Sequence, residues 1–216
     1  MFQDRVLFID GEAIVIDKPA GLPVDRPRDR SLSLEDQLHH LTFGFRRNPV
    51  PMHRLDRDTS GCLLLARNPK AMKRFAQAFE TGIVQKRYLA ILDGVPEGEG
   101  GMIDLPLAKI SSAENGWRMR GDPKGKAART RWEVLESHGG RALLAFYPET
   151  GRTHQIRIHA AEGLGIPITG DPVYGAGGPA VMLHAEGLSI PREGKPPVEA
   201  HAPLPVRFHN LGFGRD

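Results

Sequence analysis

Nine consecutive residues, His53-Arg54-Leu55-Asp56-Arg57-Asp58-Thr59-Ser60-Gly61, bring together five ionisable side chains, two hydroxyls and a glycine. The apolar run Cys62-Leu63-Leu64-Leu65-Ala66 follows at once and has the length of a strand. Charge at the mouth of a core strand is costly unless it is paired or hydrogen-bonded, so the stretch is a candidate active site. Carboxylate chemistry suits it best. Asp56 stands between Arg54 and Arg57, and a neighbouring cation keeps an aspartate ionised even when buried, as a nucleophile or base requires. Thr59 and Ser60 are placed to donate hydrogen bonds that fix its rotamer. Asp58 is an alternative working acid, and a purely structural ion pair at Asp56 fits the spacing equally well. Arg152 and Arg157 are the best remote partners. Tyr88 lies between Lys86-Arg87 and an apolar strand. It is either an ordinary strand aromatic or a platform for an extruded base.

Other chemistries find less support. His154 and His159 are five apart and do not share a helical face as an HExxH pair does. Cys62 has no second thiol to join it, so no metal site is expected. Neither GxxxxGK[ST] nor GxGxxG occurs. Ser60 sits in Thr-Ser-Gly rather than in a GxSxG elbow.

The elements that must position these residues read as strand-rich. The chain has 216 residues, 25 of them glycine and 18 proline, which predicts many turns. Val6–Ile9 and Ala13–Ile16 form a hairpin about Asp10-Gly11. Residues 31–41 read as a short helix with Ser33 and Asp36 spaced like a capping box. Asn68-Pro69 opens a helix that Gly82 stops. Tyr88–Leu92 is a strand, the Gly/Pro-rich stretch 96–101 a link, and 109–129 a projecting loop or ribbon. Thr130–Leu135 and Ala142–Tyr147 form a long hairpin whose apolar second strand is central. A helix over 154–162 ends at Gly163. Residues 182–185 and 188–190 are short apolar elements, and Val206–Phe208 reads as a last strand. Together these predict one α+β domain over 1–216, built on a large, mixed, mostly antiparallel β-sheet with flanking helices and loops.

Net charge is +3 and the isoelectric point about 9.2. Arg118, Arg120, Lys124, Lys126, Arg129 and Arg131 fall within fourteen residues against one acid, Asp122. That distribution favours phosphate contact over a merely solvated face. A single cysteine excludes an intramolecular disulfide. No apolar run approaches the roughly 18 residues a membrane helix needs, and the first residues do not form a signal peptide. The expectation is a cytoplasmic protein without membrane partners, and a monomer is the simplest state.

The opening stretch resembles, without departure, the HRLDxxTSG motif of the RluA-type RNA pseudouridine synthases. Lys86-Arg87-Tyr88-Leu89-Ala90 resembles their KxYxA strand, and Gly151 to His159 their GRxHQ(L/I)RxH segment. Gly170 to Gly175 and Leu183-His184-Ala185 resemble the later GDxxYG and LHA elements. The resemblance runs from Val6 to Phe208. It implies a pseudouridine-synthase-like fold and an enzyme that isomerises uridine within tRNA or rRNA stem-loops, with no cofactor and no metal. It implies Asp56 as the catalytic carboxylate, Arg157 as the cation that pairs with it, and Tyr88 as the ring packed on the target base. Arg54 fills the space left by the flipped uridine, and Leu183 lines the pocket. His53, Thr59 and Arg152 complete the substrate-binding set. Whether Asp56 attacks C1′ or C6, or removes the C2′ proton, stays open.

The first strand begins near residue 6, so the S4-type domain that many relatives carry is not expected. Substrate choice then falls to the loops 24–31, 42–52 and 109–129. The competing readings are a non-catalytic RNA-binding or RNA-folding protein, and a glycosidic-bond hydrolase with paired carboxylates.

Overall fold

The structure, a computed structural model, describes residues 2–112 and 116–214. In chain order the strands are β1 (Val6–Ile9), β2 (Ala13–Lys18), β3 (Val50–Pro51), β4 (Ser60–Ala66), β5 (Gln85–Leu92) and β6 (Gly100–Asp104). They continue with β7 (Leu107–Ser112), β8 (Gly116–Gly121), β9 (Arg129–His138), β10 (Arg141–Pro148), β11 (Leu183–Arg192) and β12 (Lys195–His201). The α-helices are α1 (Pro69–Glu80), α2 (Gln155–Ile158) and α3 (Val206–His209). Strands dominate and pair mostly antiparallel, the α+β class expected.

The chain forms two compact units, one of residues up to Lys86 with Ala185–Pro203, the other of Arg87–His184 with residues from Leu204 onward. In the first unit β2 lies antiparallel between β1 and β4, and β3 pairs with β4. Every residue of β4 is buried, as a continuous apolar run requires when both faces are covered. Its core joins Val15, Leu64, Phe75, Ile190 and Val198. Helix α1 supplies Ala71, Phe75 and Ala78 to that core. Its start is the expected one: Asn68 Oδ1 accepts from Ala71 N at 2.9 Å, with Pro69 next. The β1–β2 turn is held as expected by Asp10, whose Oδ1 accepts from Glu12 N and Ala13 N, both at 2.8 Å. Cys62 Sγ faces the carbonyls of Glu186 and Ala200. Burial pushes this thiol up to about 12, so it is an inert core residue.

In the second unit the apolar β10 is central, between β5 and β9, and β6 pairs with β9. Leu144, Ala145 and Phe146 are fully buried there with Ile91, Ile168 and Phe208. Strands β7 and β8 form a separate two-stranded ribbon that ends at Gly121, so 109–129 is ribbon in its first part and turn and irregular chain from 122 to 128. Residues 113–115 of that stretch lie outside the described residues.

Several sequence expectations are corrected. The short helix read over 31–41 begins only at Glu35 and is a 3-10 helix to Leu41. Only half of the capping box forms: Asp36 accepts from Ser33 N (3.0 Å) and Ser33 Oγ (2.7 Å), but the residue capping the helix is Leu34, without a side-chain bond. Residues 183–192 are one strand, not two short elements. β12 was not expected, because Pro196-Pro197 argues against a strand; its recorded pairing is with β11, and proline is tolerated on an edge. The glycine-rich link is shorter than read, since Gly100 and Gly101 already pair in β6. Val206–His209 is a helical turn entered from Pro205, not a strand. Pro205 has extended backbone and no N–H to give, which suits a residue just before a helix.

Candidate active site

In the first unit the motif loop 53–60 enters β4. A buried lysine fastens it. Lys18, fully buried, donates through Nζ to the carbonyls of Pro19 (2.9 Å), Leu22 (2.8 Å) and Arg57 (3.1 Å). Gly21 N donates to the same Arg57 carbonyl at 2.9 Å, and Arg57 Nε donates back to Gly21 O at 3.2 Å. Arg57 is therefore a clip between two loops. Asp56 is half-buried and its carbonyl accepts from Thr59 N at 3.1 Å, a turn that buries Thr59 and Ser60. Arg54 is largely exposed and pairs with Asp25 at 3.0 Å.

His53 Nε2 accepts from Leu64 N at 3.0 Å, continuing a ladder in which Met52 N donates to Leu64 O. A protonated imidazole cannot accept that bond. Burial, with the charge of Lys86, pushes His53 down to about 3. Gly61 closes the motif at φ +108°. A Cβ there would lie 2.1 Å from Ala185 O, so no other residue fits.

In the second unit Tyr88 is half-buried on β5, opposite Phe146. Arg157 lies on α2 and is buried. Its Nε and Nη2 donate to Asp171 at 2.6 and 2.7 Å, a bidentate fork. Asp171, with no exposure, also accepts from Val173 N (2.8 Å) and Tyr174 N (3.1 Å). Burial alone would push this carboxyl up, but the Arg157 hydrogen bonds and charge outweigh it and hold it below the usual aspartate value. Gly170, just before it, has φ +80° and passes so close to Ala180 O that a Cβ would lie 1.9 Å away.

The turn carrying α2 is organised by Gln155. Its Oε1 accepts from Thr150 Oγ1 (2.7 Å) and Arg152 N (2.9 Å), and its Nε2 donates to Arg129 O (3.0 Å) and Thr130 Oγ1 (2.9 Å). His159 Nε2 is 3.1 Å from Leu105 O and Nδ1 is 2.8 Å from Thr130 Oγ1. A carbonyl only accepts, so the proton sits on Nε2 and Thr130 donates to Nδ1. Arg152 Nε donates to Ala127 O at 3.0 Å. Leu183 is buried in the core of this unit, and its carbonyl accepts from Arg207 Nη2 at 3.2 Å.

The sequence reading missed Lys18, Gln155 as an organiser and Asp171 as the partner of Arg157. Asp171 carried a signal in the Gly-Asp-Pro turn and Gln155 one in the Gly151–His159 motif, whereas Lys18 carried none. The basic segment is also less one-sided than the sequence suggests. Folding brings Asp104 and Glu149 to Arg129, Glu133 to Arg131 and Asp122 to Arg120. Among the described residues no group of three or more His, Cys, Asp or Glu is placed to hold a metal, and no helix is long and apolar enough to cross a membrane.

The family model described as RNA pseudouridylate synthase matches residues 12–162, which carry the His53–Gly61 loop, Tyr88 and Arg157. The chain belongs to this family. An RNA pseudouridine synthase of Zymomonas mobilis, itself uncharacterized, is 61% identical over 213 residues, which are 97% of each chain. The ribosomal large subunit pseudouridine synthase D of Nitrosomonas europaea is 36% identical over 195 residues, 88% of this chain and 55% of that one. Among solved structures, the human RNA pseudouridylate synthase domain containing 4 superposes with a TM-score of 0.82 at 27% identity, covering 98% of this chain and 93% of that one. The protein is thus an RNA pseudouridine synthase, an isomerase, as the motifs implied.

Proposed function

We propose that this synthase isomerises specific uridines in a structured tRNA or rRNA stem-loop. The nucleotide is flipped out of its stack at a cost of a few kcal/mol, which phosphate contacts from the basic loops offset. The C1′–N1 bond breaks, the base turns, and a C1′–C5 bond forms. C5 loses a proton and N1 gains one, so nothing is released. In this reading Asp56 is the catalytic carboxylate and Tyr88 packs on the target base. Arg157, oriented by Asp171, is the catalytic cation. Arg54, exposed beside Asp25, enters the space left in the RNA. His53 and Thr59 shape the Asp56 loop, Arg152 contacts RNA, and Leu183 bounds the base pocket. All 216 residues serve one catalytic function, and the reading includes a monomer working in the cytoplasm.

The observation that carries this reading is the complete motif His53–Gly61 held in one fixed loop by Lys18 and by the glycine-only approach at Gly61. The named relatives support ribosomal RNA as a substrate class. The test is Asp56→Asn with a uridine-containing stem-loop transcript, scoring pseudouridine by chemical mapping. Formation is expected to fall below detection while the circular dichroism spectrum is kept. Undiminished formation removes Asp56 from its role.

A further inference from the structure

The ribbon β7–β8 carries an arrangement that its own stability does not require. Alternation places Leu107, Lys109, Trp117 and Met119 on one face, and Ile110, Arg118 and Arg120 on the other. At the base of the first face Leu107 and Met119 pack with Leu105, Ile158 and Tyr174. Farther out on the same face stands Trp117, and it is half exposed (51%). A tryptophan is a costly ring to leave in water. The other tryptophan of the chain, Trp132, is buried.

Trp117 is nevertheless held in place. Its ring stacks on His154, with centroids 5.5 Å apart and planes 27° apart. His154 is fixed in turn by its left-handed backbone (φ 55°) and by Nδ1 lying 2.9 Å from Tyr174 Oη. Tyr174 Oη accepts from Met119 N at 3.2 Å, which ties the ring back to the ribbon. The Arg157 guanidinium lies 5.2 Å from the centre of the Tyr174 ring. A row of contacts thus runs Trp117, His154, Tyr174, Arg157. Lys109 Nζ is 5.1 Å from the Trp117 ring centre. Among the described residues, no ion pair joins the side chains of Lys109, Arg118, Lys124 and Lys126 to an acid; Asp122, which caps Lys124 N, pairs with Arg120.

An exposed, pre-oriented indole amid cations without an ion pair among the described residues has the chemistry of a single-stranded nucleic acid platform: the ring takes a base and the cations take phosphates. Both components matter, because an acidic or apolar peptide would use only one of them. We infer that Trp117 stacks a nucleobase neighbouring the target uridine, with Lys109 and Arg118 on the adjoining phosphates. This makes the ribbon a substrate-selecting element. It rests on the proposed reading of Arg157 as a catalytic residue.

Fluorescence and kinetics test it together. A uridine-containing stem-loop transcript that the wild type modifies is titrated into wild type, Trp117→Phe and Trp117→Ala. Trp117 emission in the wild type is expected to be quenched saturably, and that change is expected to vanish in both variants, where only buried Trp132 reports. Trp117→Ala is expected to raise KM at least about tenfold, the loss of one stacked base, with kcat within twofold. Trp117→Phe restores most of the affinity. An unchanged KM in Trp117→Ala overturns the inference, whether or not emission is quenched. So does a loss confined to kcat, which marks a structural prop for Arg157. If the wild type makes no pseudouridine in any RNA, yet RNA quenches Trp117 and Trp117→Ala weakens binding, the catalytic reading falls and the base contact stands.

Discussion

Lys18 is a small case of large consequence. A lysine is seldom fully buried, and this one gives its ammonium to three backbone carbonyls, one of them in the Asp56 loop. Lys18→Met keeps much of the length and apolar body but leaves those carbonyls without their cation. Hydrogen bonds to a charged group are worth about 1.5–3 kcal/mol each and do not add fully, so a loss of about 3 kcal/mol is expected in urea unfolding. Pseudouridine formation is expected to fall further than stability alone predicts, because the loop that holds Asp56 loses its anchor. Lys18→Arg is not expected to rescue it, since a planar fork cannot replace a compact three-donor head. Nothing in Asp17-Lys18-Pro19 marks the lysine as buried. Two of its carbonyls are local, from Pro19 and Leu22, but the third comes from Arg57, 39 positions on, and that convergence is a tertiary outcome.

At the level of elements, the legible parts were those with local causes. Helix α1 was readable because its signals, Asn68 and Pro69 at the start and Gly82 at the end, act within a turn of its limits. The hairpin of β9 and β10 was readable because its turn and its apolar strand adjoin. β12 was hidden by Pro196 and Pro197, whose missing N–H groups are harmless only on an edge, and edges are not visible in a string. Val206–Phe208 failed for the opposite reason: three residues are too few to show a period, and Pro205 decided the matter. The His53–Gly61 motif was legible as residues, but the device that seats it was not. Strand β4 passes Ala185 at Gly61 with no room for a methyl group. Gly61→Ala must either shift that strand or move β11, and the backbone φ of +108° adds strain. A loss of at least about 2 kcal/mol is expected, read as a lowered thermal midpoint. An unshifted midpoint would mean the two strands separate easily.

Across the whole molecule, the two units carry different acid sensitivities. His53, in the first, has its folded value pushed from the ordinary 6.5 down to about 3. Its contribution is therefore complete above pH 6.5 and is lost progressively as pH falls from there toward 3, because only the unfolded chain takes up the proton in that range. Asp171, in the second, is held below the ordinary 3.8. Its contribution stays complete above that value and is lost only as pH falls through the folded one. Urea midpoints measured from pH 7 to pH 4 are expected to decline, and His53→Asn is expected to flatten the part of that decline below pH 6.5. An equal slope in the variant would place the acid sensitivity elsewhere.

One sulfur, sealed in the core of the first unit against two carbonyls and holding its proton until about pH 12, leaves the native surface blank to maleimide dyes. A cysteine introduced at Ser111, near the outer end of the ribbon, would then carry a fluorophore alone. No background mutation would be needed to watch that arm meet its transcript in real time.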